Sequence, residues 1–228
     1  MRGVDPRWAR VWFGATVAVV AVGIVIGLVL SAQNPTFVVD GEEYARFGGS
    51  SLARGLNNFA FFTTQSNLIV GGTSLLLVPN PSRSSTVFRV SRLIGLVAIS
   101  VTFIVFHTAL SGLVDLDTWA KIADTLVHTV VPIMAVAGWI MFGPRGLTSA
   151  RVAKLTVIYP LAYMLFTAIR GPLAQDWYPY PFADVATLGY ARVGINALWI
   201  GLLFLAIAGT ATAVDKRLTR GPTMRSIG

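Results

Sequence analysis

The chain has no cysteine, and only 12% of its 228 residues are charged, ten of them acidic. Without a thiol, disulfides, thiolate zinc sites and a cysteine nucleophile are excluded. Soluble domains carry about a quarter of their residues as charges, and this chain instead has 54% hydrophobic residues and a mean hydropathy of +0.68. No Ser/Gly-rich linker or low-complexity stretch divides it. No phosphate-binding or dinucleotide glycine motif appears, and no HExxH-type pair accompanies the two histidines. A cofactor is therefore not expected. Charged residues are also scarce in the inner half of the apolar segments, which argues against an ion pump.

What is present is a set of six apolar runs. Crossing ~30 Å of hydrocarbon takes about 20 residues of helix. Runs of that order span 11–31, 59–78, 93–113, 122–142, 153–169 and 193–214. A β-barrel would show shorter alternating segments instead. The first run follows Arg2, Arg7 and Arg10 and is longer than the apolar core of a signal peptide, so it is expected to stay as an uncleaved helix. The expected fold is an all-α integral membrane protein, a six-helix transmembrane bundle forming one domain over 1–228. Pro132 and Pro160 lie inside runs, where the carbonyls they free need other partners. Gly23 and Gly27 have the small-xxx-small spacing of close helix packing.

Direction follows from the basic residues. Arg2, Arg7, Arg10, Arg83, Arg89, Arg92, Arg145, Arg151, Lys154, Lys216, Arg217, Arg220 and Arg225 fall on the side of the termini. Arg46, Arg54, Lys121, Arg170 and Arg192 fall on the other, with Asp40 and seven more of the acids. The N and C termini are thus expected in the cytoplasm, in a multi-pass protein of a cell membrane. The net charge of +8 sits at helix ends, where it orients helices, so nucleic acid is not an expected partner; membrane lipids are. Arginine far outnumbers lysine and Ala, Val and Gly abound, as in GC-rich bacterial genomes, which points to a bacterial inner membrane.

Once direction is set, the rise of ~1.5 Å per residue gives each polar residue a depth. Thr63 to Asn67, His107 and Ser111, Asp124, His128 and Thr129, Tyr159, Tyr163 and Arg170, and Arg192 and Asn196 all fall toward the outer face, on five helices. Two readings account for such a level: interhelical hydrogen bonds that hold the bundle together, or an outward-opening pocket lined by groups too costly to leave in hydrocarbon. His128 can act as a general base, Asp124 one turn away can orient it, and Thr63 can serve as nucleophile to an ester. Asn67 shares the Thr63 face and could donate toward an oxyanion. His107, Arg170, Asn196 and Tyr163 are candidates for supporting or substrate-binding roles. A zinc site from His107, His128 and Asp124 has acceptable ligand types but no supporting signature. The segment Trp177-Tyr178-Pro179-Tyr180-Pro181-Phe182 reads as an interfacial aromatic belt, or as a roof over the pocket.

Three segments carry a family resemblance: Phe61-Phe62-Thr63-Thr64-Gln65-Ser66-Asn67, His128-Thr129-Val130-Val131-Pro132, and Arg170-Gly171-Pro172-Leu173 with the aromatic segment after it. Together they resemble the bacterial Pr-six-Pr membrane proteins over nearly the whole chain. More distantly the chain is similar to the eukaryotic androgen-induced-gene family, which includes the androgen-dependent TFPI-regulating protein. That second resemblance implies a six-helix intramembrane hydrolase of fatty acid esters of hydroxy fatty acids. Its threonine, in a Phe-x-Thr motif, falls on Thr63, and its histidine, in a His-Thr-x-x-Pro motif, on His128. The relatives have an Asn-His pair where this chain has Ala123 and Asp124, and their helix after the threonine is less polar. The expected function is hydrolysis of lipid esters, with a lipid or acyl substrate. The rivals are a non-catalytic protein that binds or transports a small anion or lipid against Arg170 and Arg192, and a partner subunit without a ligand.

Overall fold

The computed structural model of the chain describes residues 5–39 and 41–219. Arg2, Asp40, Arg220 and Arg225, which entered the charge count, lie outside the described residues.

The first helix, α1 (Pro6–Gln33), opens on Asp5, whose carboxylate accepts from the Arg7 N–H at 2.8 Å, with Pro6 at the first position where a missing N–H costs nothing. Strands β1 (Thr36–Val39) and β2 (Glu42–Ala45) follow as an antiparallel hairpin, with Thr36 opposite Ala45. The Asp115 N–H donates to the Val38 carbonyl at 2.9 Å and pins the hairpin to a distant loop. Helix α2 (Ser51–Asn57) and a 3₁₀ turn (Asn58–Ala60) lead into α3 (Phe62–Leu77). Helix α4 (Thr86–Val105), capped by Ser85, runs on into a π-turn, Phe106–Leu110. Helix α5 (Thr118–Thr125), capped by Asp117, passes through a second π-turn, Leu126–Val130, into α6 (Val131–Phe142). Helix α7 (Ala150–Thr156) is separated from α8 (Ile158–Leu173) at Val157. That interruption stands one turn before Pro160, which has no N–H for the Thr156 carbonyl and whose ring crowds it. Helix α9 (Val185–Thr219) breaks at Gly189, where φ is +73°.

Among the described residues, five helices are long and apolar enough to cross a membrane: Pro6–Gln33, Thr86–Leu110, Thr118–Phe142, Ala150–Leu173 and Val185–Thr219. They give the chain the build of a multi-pass membrane protein. The expected run 59–78 is realised as α3, which at 16 residues is shorter than the usual span. Its start is delayed because Phe61 is extended, with ψ 134°. Leu161, Leu165, Leu198, Trp199, Leu202 and Leu205 are exposed along α8 and α9, an apolar surface that water would penalise and lipid would not.

Inside, α3 packs against both α1 and α4, and α4 also meets α6, α7 and α9. Leu93, Val97, Val101, Trp139, Phe204 and Ala208 form the largest buried cluster. Arg92, placed by its sequence position among the loop charges that orient helices, is instead buried within α4. It donates to the hydroxyls of Thr73 and Ser74, both at 3.3 Å, and lies over the Phe13 ring at 5.3 Å. The helix begins at Thr86, earlier than the apolar run, and carries Arg92 two turns inward.

Candidate active site

The site lies at the end of the bundle that bears the hairpin, where α3 begins. Thr63 is the second residue of α3, so its N–H has no acceptor within the helix. Its hydroxyl stands 3.1 Å from His128 Nε2. On the far side of the ring, His128 Nδ1 lies 2.9 Å from Asp124 Oδ1. An ionised carboxylate only accepts, so in the neutral imidazole that a general base requires Nδ1 carries the ring hydrogen, Nε2 is the acceptor and the Thr63 O–H donates to it. The pair is half-buried, with side-chain exposures of 16% for His128 and 25% for Asp124.

Both histidines sit in π-turns, and the two turns face each other. The Phe106 ring stacks on His128 with 3.9 Å between centroids and planes 6° apart. His107 Nε2 meets the Thr129 hydroxyl at 3.1 Å. A π-turn admits one extra residue into a helical turn and re-aims the side chains it carries. Here it holds His128 against both Asp124 and Thr63. His107 itself is exposed and reaches the site only through the neighbour of His128. No group of three His, Cys, Asp or Glu side chains suited to a metal occurs among the described residues, so the zinc arrangement of His107, His128 and Asp124 is not assembled.

The floor of the site is fixed by α3. The Thr63 carbonyl accepts from Ser66 Oγ and from Asn67 Nδ2, each at 2.9 Å. Ser66 also reaches Thr102 Oγ1 on α4 at 3.0 Å. The second hydrogen of the Asn67 amide goes to the Val127 carbonyl at 3.1 Å. In a π-turn that carbonyl would pair with the N–H five residues on, and that residue is Pro132. Asn67 therefore has no hydrogen left for an oxyanion, and the donor role its position invited is corrected. It joins the helix of the nucleophile to the helix of the base.

The roof comes from the loop between α8 and α9. Tyr180 places its phenol oxygen 3.2 Å from the Thr63 N and 3.4 Å from Thr63 Oγ1. Burial pushes this phenol up from its ordinary range, and its hydrogen bonds to Thr63 oppose that rise. Its ring stacks on Phe182 at 5.0 Å and meets Phe61 edge-on at 5.7 Å. Tyr180 is the site residue that sequence reasoning passed over as belt or roof. The available signal was its position between Pro179 and Pro181, which hold the backbone extended.

Three further candidates support this roof and stand apart from the Thr63 hydroxyl. Asn196 Nδ2 donates to the Phe182 carbonyl at 2.9 Å, and Tyr163 donates to the Ala60 carbonyl at 3.0 Å, just before α3. Arg170 donates to Asn57 Oδ1 and is held between Phe47 and Trp177, 5.2 and 4.9 Å from the ring centroids. Arg170 also borders an open apolar groove lined by Phe47, Phe166, Ile169 and Leu173. Arg192 is exposed and is not drawn to Thr63.

Comparison with protein-family models, curated proteins and solved structures finds no match to this chain. The functional reading therefore rests on the geometry above.

Proposed function

We propose that this chain is an intramembrane hydrolase of lipid esters, with Thr63 as nucleophile and His128 as general base and then acid. The observation that carries the reading is the unbroken line from the Asp124 carboxylate through His128 to the Thr63 hydroxyl, with links of 2.9 and 3.1 Å. A hydroxyl is a weak nucleophile unless an adjacent base removes its proton, and the base needs a third group to fix its tautomer. All three are present. In the reaction Thr63 Oγ1 bonds to the ester carbonyl carbon while His128 Nε2 takes the hydroxyl proton. The carbon–oxygen bond to the alcohol then breaks, and His128 returns the proton to the departing oxygen. Water, activated by the same ring, cleaves the acyl-threonine to free acid and restores the hydroxyl.

The arrangement is read as six crossings, with α3 as the short sixth, both termini cytoplasmic and the site toward the outer leaflet of a bacterial inner membrane. The asymmetry of basic residues supports this direction. A short α3 preceded by a 3₁₀ turn leaves Thr63 near the interface, where an acyl chain can enter sideways from lipid and water can reach the base. A second reading, a protein that holds a lipid headgroup or small anion without turnover, draws on Arg170. Its Nη1 is buried without a hydrogen-bond partner among the described residues, beside the apolar groove.

A fluorophosphonate probe tests the choice, because it reacts covalently only with an activated hydroxyl. Labelling that is lost in Thr63→Ala supports the hydrolase. Folded wild-type protein that neither takes the label nor turns over a long-chain p-nitrophenyl ester overturns it.

A further inference from the structure

An acyl transfer through Thr63 needs hydrogen-bond donors for the negative charge that develops on the carbonyl oxygen. Asn67, the amide on the same face of α3, cannot be one, since both its hydrogens are held by the carbonyls of Thr63 and Val127. The donors must come from elsewhere around Thr63.

The hydrogen-bond directions at Thr63 identify where. In the neutral ring that acts as base, Asp124 holds the hydrogen on Nδ1, so Nε2 accepts and the Thr63 O–H is committed to it. In the 3.4 Å contact between Thr63 Oγ1 and the phenol of Tyr180, the threonine oxygen is then the acceptor and the phenol O–H the donor. The phenol oxygen in turn accepts from the Thr63 N–H at 3.2 Å. One oxygen atom thus occupies the place beside both the nucleophile and a backbone donor. A substrate carbonyl oxygen must take a place of that kind when its carbon is attacked by Oγ1.

Resting on the hydrolase reading, we infer that Tyr180 is a further catalytic residue: its phenol O–H and the Thr63 N–H together donate to the oxyanion of the tetrahedral intermediate. The entering carbonyl oxygen displaces the phenol oxygen from the Thr63 N–H, and the phenol hydrogen swings from Oγ1 to that carbonyl oxygen. The exchange frees a lone pair on the nucleophile as it supplies a donor to the electrophile. No proton leaves Tyr180 in the step. The proton released when the Oγ1–carbon bond forms goes to His128, and the carbonyl π electrons become the oxyanion pair. Burial keeps the phenol protonated and therefore able to donate. The flanking prolines, the stack on Phe182 and the edge-on contact with Phe61 keep the ring beside Thr63, so only a short shift of the phenol O–H is left for the arriving substrate.

The test is Tyr180→Phe, which keeps the ring and its stacking and removes the hydroxyl. With a long-chain p-nitrophenyl ester in detergent, kcat should fall roughly 100-fold, the scale of losing one oxyanion donor. KM should stay near its wild-type value, and the inhibition constant of a long-chain trifluoromethyl ketone should rise in step with the fall in kcat. A packing role would move the melting temperature and leave that correlation absent. If Tyr180→Phe does not fold, 3,5-difluorotyrosine at position 180 retains the hydroxyl with a more acidic hydrogen and should raise kcat. Wild-type kcat and ketone affinity in Tyr180→Phe, or a kcat indifferent to phenol acidity, would overturn the role of Tyr180 while leaving the hydrolase intact. Wild-type protein without turnover or labelling at Thr63 would instead remove the hydrolase reading, and the role of Tyr180 with it.

Discussion

Asn67 donates to the carbonyl of Val127 at 3.1 Å, the acceptor that Pro132 leaves without a helical partner. The bond crosses from α3 to the π-turn that carries His128, so one amide sets the spacing between nucleophile and base. Asn67→Ala removes that tie and leaves the Val127 carbonyl unpaired in a partly buried place. Melting in detergent should drop by the equivalent of about 1–3 kcal/mol, and ester hydrolysis should fall further than stability alone explains. Asn67→Asp, which sets a carboxylate against two carbonyls, should be worse than Ala on both measurements.

Thr63 and His128 should behave as one unit. Thr63→Ser keeps a hydroxyl and should retain measurable turnover, whereas Thr63→Ala and His128→Ala should each abolish it. The double Ala variant should be little worse than either single one, because losses within a catalytic unit do not add. Ala variants that stay folded and hydrolyse the ester at wild-type rates would refute the pair.

Asp124→Asn preserves size while offering His128 Nδ1 an amide that can donate, so the tautomer that leaves Nε2 free is no longer enforced. Turnover should fall by roughly 10²–10⁴-fold with little change in melting temperature, as expected for loss of the group that orients the base. Retained activity would assign Asp124 to packing.

Gly23 and Gly27 share a spacing but not a role. A Cβ on Gly23 would stand 2.8 Å from Val127 Cγ1 and 3.2 Å from Leu126 Cβ, inside the π-turn, whereas nothing approaches within 4 Å of one on Gly27. Gly23→Ala should therefore shift the segment before His128 and cost about 1–3 kcal/mol, with activity lost alongside. Gly27→Ala should match wild type in both melting temperature and turnover.

Topology is checked separately. A reporter fused after Gly228 should read as cytoplasmic and one inserted at Asp40 as external. The reverse pattern would invert the side of the membrane assigned to the site.

The meeting of Thr63, Asp124 and His128 was legible in the sequence, because helical rise brings residues at matching distances from the helix ends to one level of a bundle whatever their neighbours. The freed carbonyl near Pro132 was legible too, as a missing N–H can be read from a single letter. Its partner was not, since Asn67 lies 60 residues away. The π-turns were hidden because they add a residue without breaking the apolar run. Tyr180 was hidden for another reason: a loop 117 residues from Thr63 has no periodicity to fix where it folds back. The misplacement of Arg92 shows the opposite error. A charge at the edge of an apolar run looks like a loop charge, yet hydroxyls on α3 and the face of Phe13 let α4 take it inside. The short hairpin after α1 gave no signal strong enough to compete with the apolar runs around it.

The π-turn at Leu126–Val130 gives one continuous helix two angular phases. An inserted residue turns everything beyond it by about 100°. Below the turn, Val131, Ala135 and Trp139 keep a regular stripe against the core. Above and within it, Asp124 and His128 obey a different register, set by Thr63. The lower helix can be repacked by mutation without rotating the imidazole, and the imidazole can be aimed without disturbing the stripe. Evolution could thus adjust anchoring and chemistry along one helix as separate variables.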